Sequence, residues 1–408
     1  MVRAALIFFA LMVAMARDVH AQTDFAVTTD VAAIAEANNQ FTLDLYKSVC
    51  DTPGNLFLSP YSVSTALAML HAGAVGPTAD EIGKTLHLPN LPPTELHSTF
   101  GDLIGHLQAD KSSSGYELHV ANAAWTGSDV PINKDYLNLV EQHFSAHIAN
   151  LDFYQPDSVA STINDWVADH TNDKIKDLIS PDAIRSDSEH RTALVLTNAI
   201  YFKGDWQLQF ETNRTHDDEW HGASGETSSV PMMHQTGEYG FFEGENLSAI
   251  EMPYIGGNVT MVVLLPNKDD GLPDVEKSLD FHQLDDIISR LRDDEVIVSC
   301  PKFKVESQFL LNDSLKQLGM PLAFTRQADF SQITVSGKML VSAVFHRAFV
   351  KVDEEGTEAA AATGIVGVQP TVVVRKPVFN ADHPFLFLIR DIKTKTILFI
   401  GRIEKPAP

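Results

Sequence analysis

The sequence predicts one α+β domain of unusual size. Several stretches place apolar residues at helical spacing, while others form continuous apolar runs that are typical of buried strands. No Pro-, Ser- or Gly-rich linker divides the chain, although 408 residues would accommodate two or three average domains. With 44% apolar and 21% charged residues, the composition is that of a folded globular protein and excludes collagen, a coiled coil and extensive disorder.

The apolar pattern predicts three helices in the first half of the chain. Residues 30–50 carry an apolar stripe at helical spacing. Residues 62–74 are more uniformly apolar and predict a buried helix that follows a turn at Ser59 and Pro60. Residues 158–171 predict another amphipathic helix.

Three further runs predict strands, at residues 193–202, 259–265 and 396–400. They are too apolar to leave one face in water. We therefore expect sheets that are covered on both faces.

The N-terminus has the pattern of a secretory signal peptide. Arg3 precedes an apolar run over residues 4–16, and a small-residue cleavage site ends at Ala21, with Ala16 as the alternative. Thirteen apolar residues are too few to span a bilayer. We expect residues 1–21 to be removed and residues 22–408 to form one secreted, extracellular domain.

Two other features bear on the secretory route. The two cysteines, Cys50 and Cys300, allow one disulfide bridge or two free thiols, and the sequence leaves both open. Asn-x-Ser/Thr patterns predict four glycosylation sites, at Asn213, Asn246, Asn258 and Asn312.

The charge of the chain argues against polyanionic partners. Its formal net charge is −24, and no cluster of basic residues interrupts that field, so we expect neither nucleic acid nor a membrane as a partner. Residues 93–111 carry Lys111 against Glu95, Asp102 and Asp110, which argues against a heparin site.

Motifs for catalysis or metal binding are missing from the sequence. It contains no G-x-S-x-G, H-E-x-x-H, C-x-x-C, Walker or G-x-G-x-x-G pattern. The 16 histidines are scattered along the chain, and the pair to consider is His216 and His221, which we interpret as polar surface residues rather than a metal site. The neighbouring doublet of Asp217 and Asp218 is interpreted as a solvated face. We expect no enzyme activity, no cofactor and no metal.

One segment near the C-terminus does not resemble a core element. Residues 353–364 combine acidic and small residues, and a short Ala-rich helix is one interpretation. If the segment is a strand, however, alternate side chains share a face. Thr357, Ala359 and Ala361 then lie on one face, which continues to Thr363 and carries no charge. Such a segment can enter a sheet without burying a charge.

Five blocks in order along the chain make it similar to the serpins, the serine protease inhibitor superfamily, and within them to the secreted members. The blocks are NLFLSPYS at residues 55–62, TNAIYFKGDW at 197–206, AVFHRAF at 343–349, EEGTEAAAAT at 354–363 and FNADHPFLFLI at 379–389.

The resemblance implies three β-sheets, about nine helices and an exposed reactive-centre loop at about residues 356–383. It further implies that a serine protease attacks this loop, after which the freed hinge inserts into the central sheet and traps the acyl-enzyme. The implied hinge consists of Glu354, Glu355, Gly356, Thr357, Glu358, Ala359, Ala360, Ala361, Ala362 and Thr363.

The same matching assigns roles to single residues. It places Ser59, Ser62, Asn198 and His346 in the polar cluster called the shutter, under the strands that must part. Trp206 is placed in the breach, where the top of the sheet first opens. Taken alone, Ser59 and Ser62 fit a turn and a helix start, while His346 and Trp206 fit ordinary core positions.

Counting along the family pattern places the reactive bond between Pro370 and Thr371. Proline suits few protease pockets at that position, because its φ is fixed. Alternatives are a bond after Val368, Thr371 or Val372, which would suit an elastase-like pocket. A bond after Arg375 would suit a trypsin-like enzyme.

Two functions follow from this sequence. The first is a monomeric suicide inhibitor of a serine protease, with an elastase- or chymotrypsin-like target favoured and a trypsin-like target as the alternative. The second is a non-inhibitory serpin with a binding, carrier or regulatory role, to which the proline at the reactive bond points.

Overall fold

The computed structural model describes residues 25–108, 116–184, 194–334, 339–357 and 375–407. The predicted signal peptide and most of the predicted reactive loop lie outside these ranges.

The described residues form nine α-helices, separated by strands and by three short 3₁₀ turns. The helices are α1 (Thr29–Val49), α2 (Pro60–Ala72), α3 (Pro77–Thr85), α4 (Pro93–Gln108), α5 (Lys134–His143), α6 (Pro156–His170), α7 (Leu272–Ser278), α8 (Phe281–Ser289) and α9 (Asn312–Leu318). None of the helices in these ranges is long and apolar enough to cross a bilayer.

Fifteen strands form two hydrogen-bonded networks in the described residues. They are β1 (Leu56–Leu58), β2 (Tyr116–Gly127), β3 (His147–Leu151), β4 (Leu194–Asp205), β5 (His216–His221), β6 (Thr227–Glu243), β7 (Leu247–Pro253), β8 (Val259–Pro266), β9 (Arg292–Pro301), β10 (Phe303–Leu310), β11 (Val341–Val352), β12 (Gly356–Thr357), β13 (Val378–Asn380), β14 (Phe385–Asp391) and β15 (Ile397–Ile403).

The smaller network, here named the central sheet, has the order β10-β11-β4-β2-β3, with β12 paired to the end of β4. The larger has the order β1-β15-β14-β8-β7-β6-β9-β13, with β5 paired to β6. The long strand β6 runs through both halves of the larger network, so that two of the three predicted sheets are joined in it. The mixed α+β class with nine helices and several sheets is confirmed.

The predicted elements are present with small shifts at their ends. The helix predicted over residues 62–74 starts two residues earlier, because the Ser59 side chain caps it and Pro60 occupies its first turn. The strand predicted over residues 193–202 extends to Asp205. The three predicted strands are nearly fully buried, as their apolar character requires.

The central sheet is buried on both faces. One face of β4, with Ile200 and Phe202, belongs to the main core, which α1, α2 and the strands of the larger network complete. The other face, with Ala199 and Tyr201, packs into a second cluster with α6 residues such as Ile163. A strand added beside β4 would therefore have the main core on the face of Ile200 and Phe202 along most of its length.

Candidate functional site

The candidate site is the seam of the central sheet, by which we mean the parallel strand pair β4–β11. Its register runs from Val341 opposite Leu194 to Phe349 opposite Tyr201. Beyond Tyr201, β4 no longer pairs with β11 but with β12, which runs antiparallel to it. The two strands of the seam are therefore paired along its length, whereas at one end β12 already lies beside β4 in place of β11.

A buried polar cluster crosses the seam. His346 on β11 lies directly opposite Asn198 on β4, and its Nδ1–H donates to Asn198 Oδ1 at 2.5 Å. Its Nε2 accepts a hydrogen bond from the Ser59 backbone N–H at 3.0 Å. Burial lowers the pKa of His346 to about 3, so the imidazole is neutral at physiological pH.

The start of α2 supplies the floor of this cluster. Ser59 Oγ donates to the Leu398 carbonyl oxygen at 2.6 Å and accepts the Ser62 N–H at 3.3 Å. Asn198 Nδ2 donates to Ser62 Oγ. The structure thus brings together the four residues that the family resemblance assigned to the shutter: Ser59, Ser62, Asn198 and His346.

One member of the cluster, Asn122, is missing from the sequence-based prediction. It lies on β2 opposite Asn198, and its Oδ1 accepts from both Asn198 Nδ2 and Ser62 Oγ. A signal was present in the sequence, since Asn122 is an amide within the apolar stretch of β2. A buried polar residue of this kind requires partners.

At the end of the seam where β12 pairs with β4, aromatic side chains contact the segment that leads into the hinge. Trp206 stacks on Tyr254 with ring centroids 4.5 Å apart, and its Nε1–H donates to the Asp353 carbonyl oxygen at 3.0 Å. The Tyr254 hydroxyl lies 3.0 Å from Thr357 Oγ1, and both residues are buried. Trp206 therefore anchors the segment that leads into the hinge, where the breach was predicted.

A tight turn connects β11 to β12. The Asp353 N–H donates to the Gly356 carbonyl oxygen at 2.9 Å, and the Glu354 carboxylate accepts from Lys302 Nζ at 2.7 Å and from Thr215 Oγ1 at 2.8 Å. Burial acts to raise the pKa of Glu354, but these hydrogen bonds outweigh it and hold that pKa below its usual value. The ionised carboxylate ties the turn to the body of the protein.

Gly356 is required at the point where β12 meets β4. Its φ is +151°, and a Cβ there would lie 2.2 Å from the Gly204 carbonyl oxygen. Another residue would clash with the β4 backbone, so only glycine lets the hinge enter the sheet here.

The far end of the predicted loop is fixed to a different sheet. β13 pairs with β9 in parallel register, and Lys376 Nζ lies 2.7 Å from Glu295 Oε1. Arg375 is exposed. The predicted loop of residues 356–383 thus begins in β12 and contains β13 shortly before its predicted end. The bond residues Val368, Pro370, Thr371 and Val372, and the hinge residues after Thr357, lie outside the described residues.

The remaining predicted residues lie away from the seam. Asn213, Asn246 and Asn258 are exposed, whereas the Asn312 amide donates to Ser342 O and accepts from Val344 N. Both cysteines are free: Cys50 is partly exposed and Cys300 is buried.

Burial raises the pKa of Cys300 to about 12, which keeps its thiol protonated and unreactive. Helix α4 has no Lys or Arg between Pro93 and Gln108. In the described ranges, the one cluster of three side chains suited to a metal is on β5 and β6 rather than at the seam.

Comparisons with known proteins agree with this arrangement. Residues 36–406 match the family model described as serpin (serine protease inhibitor). An uncharacterized serpin-like protein of the archaeon Thermococcus kodakarensis is 38% identical over 91% of this chain and 86% of its own length. The leukocyte elastase inhibitor of Xenopus laevis is 36% identical over 91% of this chain and 99% of its own.

Solved structures give the same fold. Serpin48 of the insect Tenebrio molitor matches with a TM-score of 0.84 and 28% identity, over 93% of this chain and all of its own. Human thyroxine-binding globulin, solved in complex with thyroxine, matches with a TM-score of 0.83 and 29% identity, over 93% of this chain and all of its own. The family consists mostly of protease inhibitors, and its members also include non-inhibitory carriers. With its seam, its hinge turn and a family match over most of its length, this chain belongs to the serpin family.

Proposed function

We propose that the protein is a secreted inhibitor of a serine protease, acting as a suicide substrate whose cleaved loop inserts into the seam. The observation that carries this proposal is the pairing of Gly356 and Thr357 with Asp205 and Gly204 of β4. It fixes the direction and the register in which the rest of the hinge would follow.

Continuing this register along β4 places every small inward residue against the core. Ala359 would lie opposite Phe202, Ala361 opposite Ile200 and Thr363 opposite Asn198. These three β4 side chains are fully or almost fully buried.

The one charge in the small-residue part of the hinge falls on the other face. In the same register, Glu358 would lie opposite Lys203, which is partly exposed. Opposite charges at such a cross-strand pair stabilise rather than oppose insertion.

Insertion also improves the pairing of the sheet. The seam is now one parallel ladder, and a strand running antiparallel to both β4 and β11 would replace it with two antiparallel ladders, which are slightly more stable per residue. Residues 358–367 would pair with the ten residues from Lys203 back to Leu194. At about 1 kcal/mol per hydrogen-bonded residue, the driving force is on the order of 10 kcal/mol.

The chemistry requires only the protease's own active site. Its serine attacks a loop carbonyl, the peptide bond breaks, and the amine leaves with the C-terminal part of the loop. The new ester joins the protease to the N-terminal part of the loop, which then inserts. If insertion is faster than hydrolysis of the ester, the protease stays bound.

The second loop anchor favours a bond upstream of Arg375. The Lys376 ion pair with Glu295 and the hydrogen bond from Ile297 N–H to Pro377 O, at 2.9 Å, hold the leaving side of the Arg375–Lys376 bond against β9. The bonds near Val368 to Val372, which lie outside the described residues, have the small apolar side chains that suit an elastase- or chymotrypsin-like pocket. The Xenopus relative is named for elastase inhibition.

The signal-like residues 1–21 support secretion, and the exposed positions of Asn213, Asn246 and Asn258 suit glycosylation. Asn312 is the least suited of the four, because both its amide nitrogen and its amide oxygen already form hydrogen bonds within the protein.

A second candidate function is that of a non-inhibitory binding or carrier protein. Pro370 at the predicted reactive bond favours it, as proline is a poor substrate residue there. The structural likeness to thyroxine-binding globulin, which was solved with thyroxine, shows that this architecture serves such a role elsewhere. The small, uncharged hinge face argues for the first candidate, since a carrier has no need to insert its loop.

Incubation of the purified protein with an elastase, a chymotrypsin and a trypsin tests the proposal. A complex that survives denaturing electrophoresis, with release of a C-terminal fragment, is expected for at least one apolar-specific enzyme. The mass of that fragment identifies the bond. The same protease with its serine blocked by a sulfonyl fluoride is the control and should give no complex. Cleavage without complex formation by all three enzymes would favour the carrier role.

A further inference from the structure

Two imidazoles and a carboxylate converge on one face of the strands β5 and β6. His216 and Asp218 are two residues apart on β5, so their side chains leave the same face. His234 on β6 reaches that face, with its Nε2 atom 3.1 Å from Asp218 Oδ2, while His216 Nε2 lies 3.6 Å from Asp218 Oδ1. One ligand atom from each of the three lies within 4.8 Å of the others.

The third strand, β9, orients one of these imidazoles. Ser299 is directly opposite His234 in the register, and its Oγ lies 3.1 Å from His234 Nδ1. A metal-binding histidine normally makes such a hydrogen bond through its second ring nitrogen, which fixes the ring and directs the first nitrogen at the metal. The His234 Nε2 atom is screened from solvent and has no well-aligned hydrogen bond in the described part of the chain.

We propose that His216, Asp218 and His234 bind a divalent transition-metal ion of the zinc type, with Ser299 as the residue that positions His234. Two imidazoles and one carboxylate are a donor set that zinc accepts, leaving its fourth tetrahedral position for water. Magnesium and calcium prefer oxygen ligands throughout and gain little from imidazole.

The geometry requires a side-chain adjustment at one of the three residues, His216. With zinc–ligand distances of about 2.1 Å, tetrahedral donors lie about 3.4 Å apart. Asp218 Oδ2 and His234 Nε2, 3.1 Å apart, are already close to this separation. The rings of His216 and His234 are stacked with centroids 4.2 Å apart, so the ring of His216, whose side chain is 61% exposed, must turn out of this stack to direct its Nε2 atom at the same ion.

The histidine pair considered from the sequence is not the pair that forms the proposed site. His216 and His221 are five residues apart on β5, and an odd spacing puts their side chains on opposite faces of a strand. The partner of His216 comes instead from β6. The proposal does not depend on the protein's being an inhibitor.

An ion at this site would act close to the reactive loop. Ser299 also pairs in register with Asn380 of β13, the strand that follows the loop. The ion would join β5 to β6. Through the contact between His234 and Ser299 it would also be linked to β9, the strand that pairs with β13.

Isothermal titration calorimetry with zinc chloride, after dialysis of the intact protein against a chelator, tests this site. We expect a single tight site in the wild type, its loss in His234→Ala and in Asp218→Asn, and binding about tenfold weaker in Ser299→Ala. Magnesium chloride should give no heat of binding.

Two matched controls lie on the same strand. His221→Ala and Asp217→Asn make the same chemical changes on the opposite face and should bind zinc like the wild type. This comparison matters because the chain has 16 histidines, which provide other weak contacts for zinc.

His216→Ala, at the most exposed position, is the second test if His234→Ala does not fold. No tight site in the wild type, or equal losses in the variants and their controls, would overturn the proposal.

Discussion

Exchanging two neighbouring hinge residues isolates the face that insertion must bury. The double variant Glu358→Ala with Ala359→Glu keeps the composition and net charge and moves one carboxylate by one position. Side chains alternate along a strand. In the register that β12 sets on β4, the carboxylate therefore moves from opposite Lys203 to opposite Phe202, which has no exposed surface.

The cost of this move can be estimated from the burial of Phe202. A carboxyl group enters such surroundings by taking up a proton, and from a pKa of about 4.3 at pH 7.4 this costs about 4 kcal/mol. The driving force on the order of 10 kcal/mol exceeds this cost, so the cleaved variant should still insert eventually. If half the cost is present in the transition state, insertion slows by about 30-fold.

The measurement is the ratio of covalent complex to cleaved protein after reaction with the protease that the wild type traps. The wild type should give mostly complex, whereas the exchange variant should be mostly cleaved and released, because hydrolysis of the ester overtakes insertion. Thermal unfolding of the cleaved variant should still show the stabilisation that the wild type gains on cleavage.

Glu358→Ala alone is the matched control and should trap protease almost as well as the wild type, since an exposed ion pair with Lys203 contributes at most about 1 kcal/mol. An exchange variant that forms as much complex as the wild type would refute the assignment of faces. A control that behaves like the exchange variant would refute it as well. Thr357 is less suitable for this test, because it is already buried and bonded to Tyr254 before cleavage.

Three further predictions concern the uncleaved protein. Because the pKa of His346 falls from 6.5 to about 3 on folding, the unfolded chain binds the proton first, and the stability contributed above pH 6.5 is lost as the pH falls towards 3. Between pH 7.5 and 5, urea unfolding should show that the wild type loses about 2 kcal/mol more stability than His346→Gln, because the other histidines with lowered pKa values, such as His97, contribute equally to both proteins. Lys302→Met removes one hydrogen-bond donor from the Glu354 carboxylate and should therefore speed spontaneous loop insertion. The rate is measured as loss of inhibitory activity on storage at 37 °C. An unchanged rate would exclude a role for the Lys302–Glu354 ion pair in restraining the loop. A thiol reagent should label Cys50 in the folded protein and Cys300 only after unfolding, and early labelling of Cys300 would contradict its burial.

The local elements could be predicted from the sequence because their signals are local. Apolar spacing predicted α1, α2 and α6, and continuous apolar runs predicted β4, β8 and β15. The alternation of small residues after Gly356 indicated a strand rather than a helix, and the described part of it, Gly356 and Thr357, is paired in a sheet. The four shutter residues were placed by resemblance to the family, not by their own chemistry.

Contacts between distant strands could not be predicted in this way. Asn122 and Asn198 are 76 residues apart, and only the register of β2 on β4 brings them together. The same holds for His234, which joins His216 through the pairing of β5 with β6. A one-residue change in either register would turn these side chains to the other face, and the sequence alone does not fix it.

The two anchors of the loop explain, on the proposed mechanism, why insertion awaits cleavage. Residues 358–367 would need about 33 Å of β4, at about 3.3 Å per residue. In the uncleaved chain, residues 368–377 would have to return over the same length to reach Val378, which is fixed to β9 in the other network. Ten residues span at most about 36 Å. While β13 stays paired with β9, they therefore cannot also cover the distance between the two sheets, so the uncleaved loop enters the seam only at its end, where Gly356 and Thr357 are found. Deeper insertion without cleavage would first require β13 to leave β9.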